Sequence, residues 1–409
     1  MNIRQNVLCL TVSAIAIAVC APMAMAMSGP TAIQIDGGPL GPLQLSGAAD
    51  GMAYFLSGTQ RYADTGGLGA PASNNAGPKA FGMQFMNGEI GLQKNTGVLQ
   101  ATIEVGSTNY LYLGLGQNPS SIQSFSTGPL YAAYVTVAPA GSPVTVSVGQ
   151  VTGLEGYEAG QDFNNANIFL SQIAYLETGQ GRGVIANYAS GPVNASVFFG
   201  DGYDTGVFNS LQAVAGYTFN SSNSFDVYYG GNLGRTGVHA NTYGTGSLAY
   251  SNSFVGAAPE FANSQMFGAY YNYTVGHLNL VPELQYQYAK ADASLGIQKG
   301  MSNIVGAVFA DYSFGTSPYS VGAWVEYFDQ HESVADATNG TYWFYGPNAT
   351  GEAISVTPTW QEKDLFLRAD IGALLLNRTS AYGLPKYGYG NQRNDSFQLS
   401  GLLETGLVF

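Results

Sequence analysis

The stretch DSFQLSGLLETGLVF, Asp395 to Phe409, decides how the whole chain is read. Phe397, Leu399, Gly401, Leu403, Thr405, Leu407 and Phe409 fall on one side of an extended strand. Ser396, Gln398, Ser400, Leu402, Glu404, Gly406 and Val408 fall on the other. Side chains of a strand alternate with period two, so one face is apolar and the other mostly polar. A transmembrane barrel needs this pattern, because its outer face meets lipid, its inner face meets water, and aromatics collect at the interfaces.

The stretch resembles the closing strand of Gram-negative outer-membrane barrels. That resemblance implies that Phe409 is the signal read by the barrel-assembly machinery, and that outer-membrane lipid and lipopolysaccharide surround the protein.

The same alternation recurs upstream. Leu99, Ala101, Ile103 and Val105 oppose Gln100, Thr102 and Glu104, and Leu365, Leu367, Ala369 and Ile371 oppose Asp364, Arg368 and Asp370. Sixteen candidate strands, several of them alternating cleanly, run from residues 43–57 to 396–409. Short linkers alternate along the chain with mostly long ones, at 58–80, 107–128, 151–181, 235–263, 330–351 and 377–395. Sorting of connections by parity is how outer-membrane barrels are built, with short periplasmic turns and longer external loops. The expected fold is therefore an all-β, antiparallel, up-and-down transmembrane barrel of 16 strands spanning residues 43–409. Eighteen strands result if residues 110–115 pair with part of the 235–263 loop. Pro282 sits awkwardly inside one strand, because it cannot donate to a ladder.

Residues 1–26 read as an export leader, with Arg4, an apolar run over residues 7–21, and Ala24-Met25-Ala26 as the cleavage site. Val19, where a lipoprotein signal wants a small residue before Cys20, weighs against lipid anchoring. Both cysteines, Cys9 and Cys20, leave with the leader, so a closed hydrogen-bonded sheet must do what disulfides do in many exported chains. Residues 27–42, rich in Gly and Pro and without periodicity, read as a periplasmic lead.

Composition narrows the function. Only 10% of residues are charged, and the chain carries 55 Gly, 28 Tyr and 21 Phe. Loss of Arg4 takes the formal net charge from −13 to −14. That sign argues against a nucleic-acid partner and favours cations over anions near the protein. A soluble all-β lectin or adhesin is the alternative to a membrane barrel.

The third long linker, 151–181, carries Glu155, Glu158, Asp162 and Glu177 without a Lys or Arg. It also carries Phe163, Ile168, Phe169, Leu170, Ile173 and Leu176, apolar anchors of little use to an exposed loop. General diffusion porins fold their third external loop into the lumen, and this segment resembles one of those. Residues 149–234 also resemble the OmpL-like family of β-barrel porins, on the stretch GQVTGLEGYE (149–158) and the cluster Asn164-Asn165-x-Asn167. The resemblance implies a passive pore, without naming its cargo, and trimer formation is an expectation of the class.

The expected constriction sets Glu155, Glu158 and Asp162 against wall residues such as Arg182, Arg368 and Asp370, creating a transverse field across a narrow channel. Glu104, Glu283, Glu326 and Glu404 join Arg368 and Asp370 as candidate lumen-facing residues, each opposite apolar neighbours. The function expected is passive diffusion of small hydrophilic solutes, with cations preferred. A non-conducting surface adhesin with the same barrel is the rival. No catalytic constellation stands out: His239, His277 and His331 are scattered. Without Cys or clustered His, no transition-metal site is expected, and no cofactor.

Overall fold

The computed structural model describes residues 27, 32–58, 81–115, 129–202, 208–234, 264–293, 297–390 and 392–409. Its strands are β1 (Ile33–Asp36), β2 (Pro42–Leu56), β3 (Phe81–Lys94), β4 (Leu99–Ser107), β5 (Leu130–Val137) and β6 (Val144–Thr152). There follow β7 (Gln180–Ser190), β8 (Val193–Gly202), β9 (Ser210–Asn220), β10 (Asn223–Asn232), β11 (Ser264–Val275) and β12 (Leu278–Ala289). The last five are β13 (Met301–Ser313), β14 (Tyr319–Glu332), β15 (Thr350–Glu362), β16 (Leu365–Leu376) and β17 (Phe397–Val408). From β2 onward each strand pairs antiparallel with the next, and β17 returns to β2, as in the pair Leu403↔Ala53. Sixteen strands thus close a barrel, and β1 is an addition to it.

Alternation does what the sequence requires. Along β16, Leu365, Leu367, Ile371 and Leu375 are exposed, whereas Phe366, Arg368, Asp370 and Leu374 are buried. Along β17 the exposed set is Phe397, Leu399, Leu403 and Leu407, with Gln398, Ser400 and Glu404 inside. An apolar outside around a polar inside inverts a soluble protein and suits a wall in lipid.

Prolines fit because each faces a gap in one ladder only. Pro282 pairs with Val308 of β13, while the β11–β12 ladder skips from Tyr270↔Glu283 to Tyr273↔Leu280. Pro358 repeats the device, pairing with Val321 while the β15–β16 ladder skips from Val356↔Ile371 to Thr359↔Arg368. Register is unchanged across both gaps.

Two expectations need correction. The lead 27–42 is not wholly irregular, because β1 pairs with the start of β2 (Ile33↔Leu45 to Asp36↔Pro42). The β2–β17 ladder runs only as far as Ala48↔Val408, so β1 takes the edge of β2 left beyond it. An unpaired edge is a hazard that proteins cover. Residues 110–115 do not form a barrel strand either. They touch the β6–β7 connection through one parallel bridge, Tyr112↔Leu170, and residues 235–263 lie outside the described residues.

The core sits inside the barrel. Leu111 and Leu113 of the β4–β5 connection, Ile168, Phe169 and Ile173 of β6–β7, Phe344 and Tyr345 of β14–β15, and Tyr387 and Tyr389 of β16–β17 form one buried cluster with wall residues such as Trp324, Phe328 and Leu374. The β14–β15 connection begins with α1 (Val334–Thr338), capped by Ser333, whose hydroxyl accepts the Asp336 N–H at 3.0 Å.

Candidate functional site: the loop inside the barrel

The β6–β7 connection, the third long one, enters the lumen and lies against the wall. Two glycines make the close approach feasible. A Cβ on Gly322 of β14 would collide with the Ala166 carbonyl, and one on Gly372 of β16 would press to 3.2 Å from the Phe169 ring and collide with Leu113 of the β4–β5 connection. Two short 3-10 turns, Asp162–Asn164 and Ile173–Leu176, shape the segment.

Wall side chains hold the loop by its backbone as much as by its charges. On β16, the Asp370 carboxylate accepts the N–H groups of Ile168 at 3.0 Å and Phe169 at 2.9 Å, along with the Ser355 and Thr357 hydroxyls. Asn167 donates to both of those hydroxyls. On β14, Trp324 Nε1 donates to the Phe169 carbonyl at 2.9 Å, and Glu326 Oε2 accepts the Gln172 N–H at 2.6 Å. A loop's buried amides must find acceptors, and inward acids and hydroxyls supply them.

The strongest node is Arg368, 1% exposed. Its Nε and Nη2 donate to Glu404 of β17 at 3.0 and 2.6 Å, Nη2 also meets the Asp162 carboxylate, and Nη1 reaches the carbonyls of Asp162 and Asn165 at 3.2 and 3.3 Å. Asp162 in turn accepts from Asn87 of β3 at 2.7 Å, and Asn87 donates to Asp50 of β2. Arg368 and Asp162 together tie the loop to four wall strands.

Of the other candidates, Glu155 is buried beside Gly230 and accepts from the Leu154 N–H and the Thr178 hydroxyl, both at 3.2 Å. Glu158 turns back onto its own loop, where it accepts the Ser171 N–H at 3.1 Å and the Ser171 hydroxyl. Burial pushes Glu155 and Glu158 up to about 7, the bonds just named partly offsetting it. Glu177 is raised further, by burial and then by the charges of Glu283, Glu158 and Glu155. Glu283 of β12 accepts the Tyr228 hydroxyl at 2.6 Å. Glu104 points inward on β4, half-buried.

Arg182 departs from the expectation. Val184, Ala186 and Tyr188 of β7 are exposed, so alternation puts Arg182 on their outward side. It pairs at 2.9 Å with Asp201 of β8. The structure brings Asp162 to Arg368 and leaves Arg182 out of that cluster. Phe409 completes the seam: its N–H donates to Gly47 at 2.9 Å and its carbonyl accepts from Gly47 at 2.7 Å. His331 pairs at 3.2 Å with Asp329 on the outer side of β14, and no group of acids or His that could hold a metal occurs among the described residues.

Sequence reading missed Asp50, Asn87, Trp324 and the loop's hydroxyl partners. It also missed the inward packing of the other loops, although the run Tyr342-Trp343-Phe344-Tyr345, all buried, carried the same signal as the third loop's apolar anchors.

A closed sixteen-strand barrel with lipid-facing alternation and an internal third loop defines an outer-membrane porin. The chain belongs to the family described as putative beta-barrel porin-2, OmpL-like, whose pattern matches residues 42–409. No curated protein matches it in sequence. Solved structures share the fold. An anion-selective porin from Comamonas acidovorans superposes with TM-score 0.56 at 13% identity, covering 90% of this chain and 99% of that one. The outer membrane channel DcaP of Acinetobacter baumannii gives 0.53 at 11%, covering 90% and 97%. OmpT of Vibrio cholerae, in a trimer form, gives 0.52 at 10%, covering 90% and 99%.

Proposed function

We propose that the protein is a passive diffusion channel for small hydrophilic solutes that favours cations, narrowed by its third loop. The observation that carries this reading is the loop itself, seated in the lumen and bringing Glu158 and Glu177, half-buried, into it. Loop and wall carboxylates outnumber the inward bases among the described residues, where Arg368 is already spent on Asp162 and Glu404. Fold does not fix ion sign, since the Comamonas porin of the same fold is anion-selective. The acids of this chain support the opposite preference.

The proposal extends to Glu104, Glu283, Glu326 and Asp370 as lumen-facing acids, to cleavage of residues 1–26, and to assembly through the Phe409 signal into lipid and lipopolysaccharide. A homotrimer is the proposed state, supported by the trimer form of OmpT. The aromatic packing of the β14–β15 and β16–β17 connections favours the rival reading, a binding barrel of little conductance. Planar-bilayer recording on the refolded protein separates them. Steady single-channel steps with a cation-selective reversal potential support the porin, and a folded barrel that passes no current sinks it.

A further inference from the structure

Arg368 shows how this barrel satisfies buried carboxylates where a cation is built in. The neighbouring stretch of wall, β12 to β14, lacks that arrangement. Glu283 on β12 and Glu326 on β14 stand level, each registered against Ala307 of the strand between them. Two strand spacings separate their backbones, roughly 10 Å. Both are inward and only 4% exposed. Each uses one oxygen, Glu283 for the Tyr228 hydroxyl and Glu326 for the Gln172 N–H. The other oxygens, Glu283 Oε2 and Glu326 Oε1, have no hydrogen-bond partner among the described residues. The Tyr157 amide approaches Glu283 without reaching hydrogen-bonding geometry.

Loop acids converge on the same place. Glu158 holds Ser171, next to Gln172 whose N–H reaches Glu326, and Gln285 Nε2 donates to Glu177 at 3.2 Å and to the Tyr228 hydroxyl at 2.8 Å, which itself donates to Glu283. Among the described residues no ion pair reaches any of the four. Between them lies a small residue, Ala307, and to one side the Tyr157 ring, 5.9 Å from Tyr270 and 5.2 Å from Phe309. Buried carboxylate oxygens without a donor are costly. No set of acids here is close enough to chelate a bare metal ion. The arrangement calls for a larger cation that brings N–H donors on more than one centre, with a short apolar body against Ala307 and the rings.

We infer that Glu158, Glu177, Glu283 and Glu326 form a recognition site for a small protonated diamine within the lumen. This rests on the channel reading and names its solute class. Glu283 and Glu326 supply acceptors that need N–H groups, so a cation lacking them loses those bonds. Glu158 and Glu177, half-buried, meet the solute first.

The test uses the refolded protein with putrescine as probe and hexamethonium, a doubly charged cation without N–H groups, as contrast. Calorimetry measures binding, and planar bilayers measure block of the current. Putrescine is expected to bind and to block in a saturable way, with hexamethonium at least about tenfold weaker, the factor expected from losing one charge-assisted hydrogen bond. Glu283→Gln and Glu326→Gln are each expected to weaken putrescine by about tenfold or more on the same grounds. Glu352→Gln, on the outer face of β15, removes the same charge and is expected to leave binding unchanged. Equal binding of the two cations overturns the proposal, as does equal binding by wild type and both inner variants, since diffuse negative charge then suffices. A conducting channel that ignores putrescine also overturns it, while leaving the porin reading intact. Absence of current with putrescine binding intact removes the porin reading and leaves the site.

Discussion

Two neighbouring stretches of the lumen wall treat buried acids in opposite ways. On the β16–β17–β2–β3 side, Asp162, Glu404 and Asp50 gather around Arg368, and the cation is part of the chain. On the β12–β14 side, Glu283 and Glu326 keep one oxygen each without a partner, and no Lys or Arg pairs with them among the described residues. The first side is a fastening: it fixes where the third loop lies. The second is chemically unfinished within the chain, and a solute can complete it. Breaking a satisfied ion cluster is expected to damage structure, whereas neutralising the unfinished acids is expected to change selectivity with little damage.

The largest effect should come from Arg368→Met. It strands Asp162 and Glu404 in the interior, and loss of one partner of a buried pair costs about 3–5 kcal/mol. Thermal unfolding followed by circular dichroism should show a markedly less stable barrel, and any channels that form should have a wider, noisier conductance because the loop is released. An unchanged melting profile would dissolve the contrast between the two sides.

Asp370→Ala should come next. The amides of Ile168 and Phe169 lose their acceptor, and a buried donor left unsatisfied costs roughly 1–3 kcal/mol. Single-channel conductance should rise, and limited proteolysis between Ile168 and Ile173 should appear where wild type resists. Trp324→Phe should be milder, about 1 kcal/mol for one bond to the Phe169 carbonyl, with a larger penalty if that carbonyl finds no water.

The pH dependence of stability takes its sign from the loop acids. Glu155 and Glu158, raised to about 7 by burial, gain protons as pH falls through that value. In the unfolded chain they stay ionised down to the ordinary glutamate range near 4.3. The folded state therefore binds more protons between those limits. Acidification strengthens loop seating there, and the advantage is lost as pH rises through about 7. Cation preference should run the other way, weaker at pH 5 than at pH 8.5 in reversal-potential measurements. A preference independent of pH would remove these glutamates from the selectivity step.

Much of the barrel was legible because period-two alternation is a local property. Several of the sixteen strands show it cleanly, and the sorting of short and long connections set the topology. The third loop's inward course was legible from its apolar residues, since an anchor such as Phe169 has no use in water. The partners were not, because Asp162 meets Arg368 across 206 positions and nothing local announces such a pair. Arg182 was misplaced for a narrower reason. Its inward neighbours, Gly181 and Gly183, offer no side chain from which to read the face, and parity had to be counted from Val184 and Tyr188. Leu113, Tyr345 and Tyr389 were missed because long loops were taken as external unless acids drew attention to them.

The cover that β1 places on β2 has a kinetic consequence. The turn at Gly38–Leu40 links β1 to β2 within a few residues, so that hairpin can form at once. The seam joins Leu56 to Ser400 and Ala48 to Val408, closing a loop of more than 300 residues, and distant contacts form slowly. For as long as the seam stays open, β2 waits with one flank already occupied at its base. A strand from another polypeptide trying to dock there would first have to peel β1 away, so the nascent barrel carries its own guard against misjoining until its true last partner arrives.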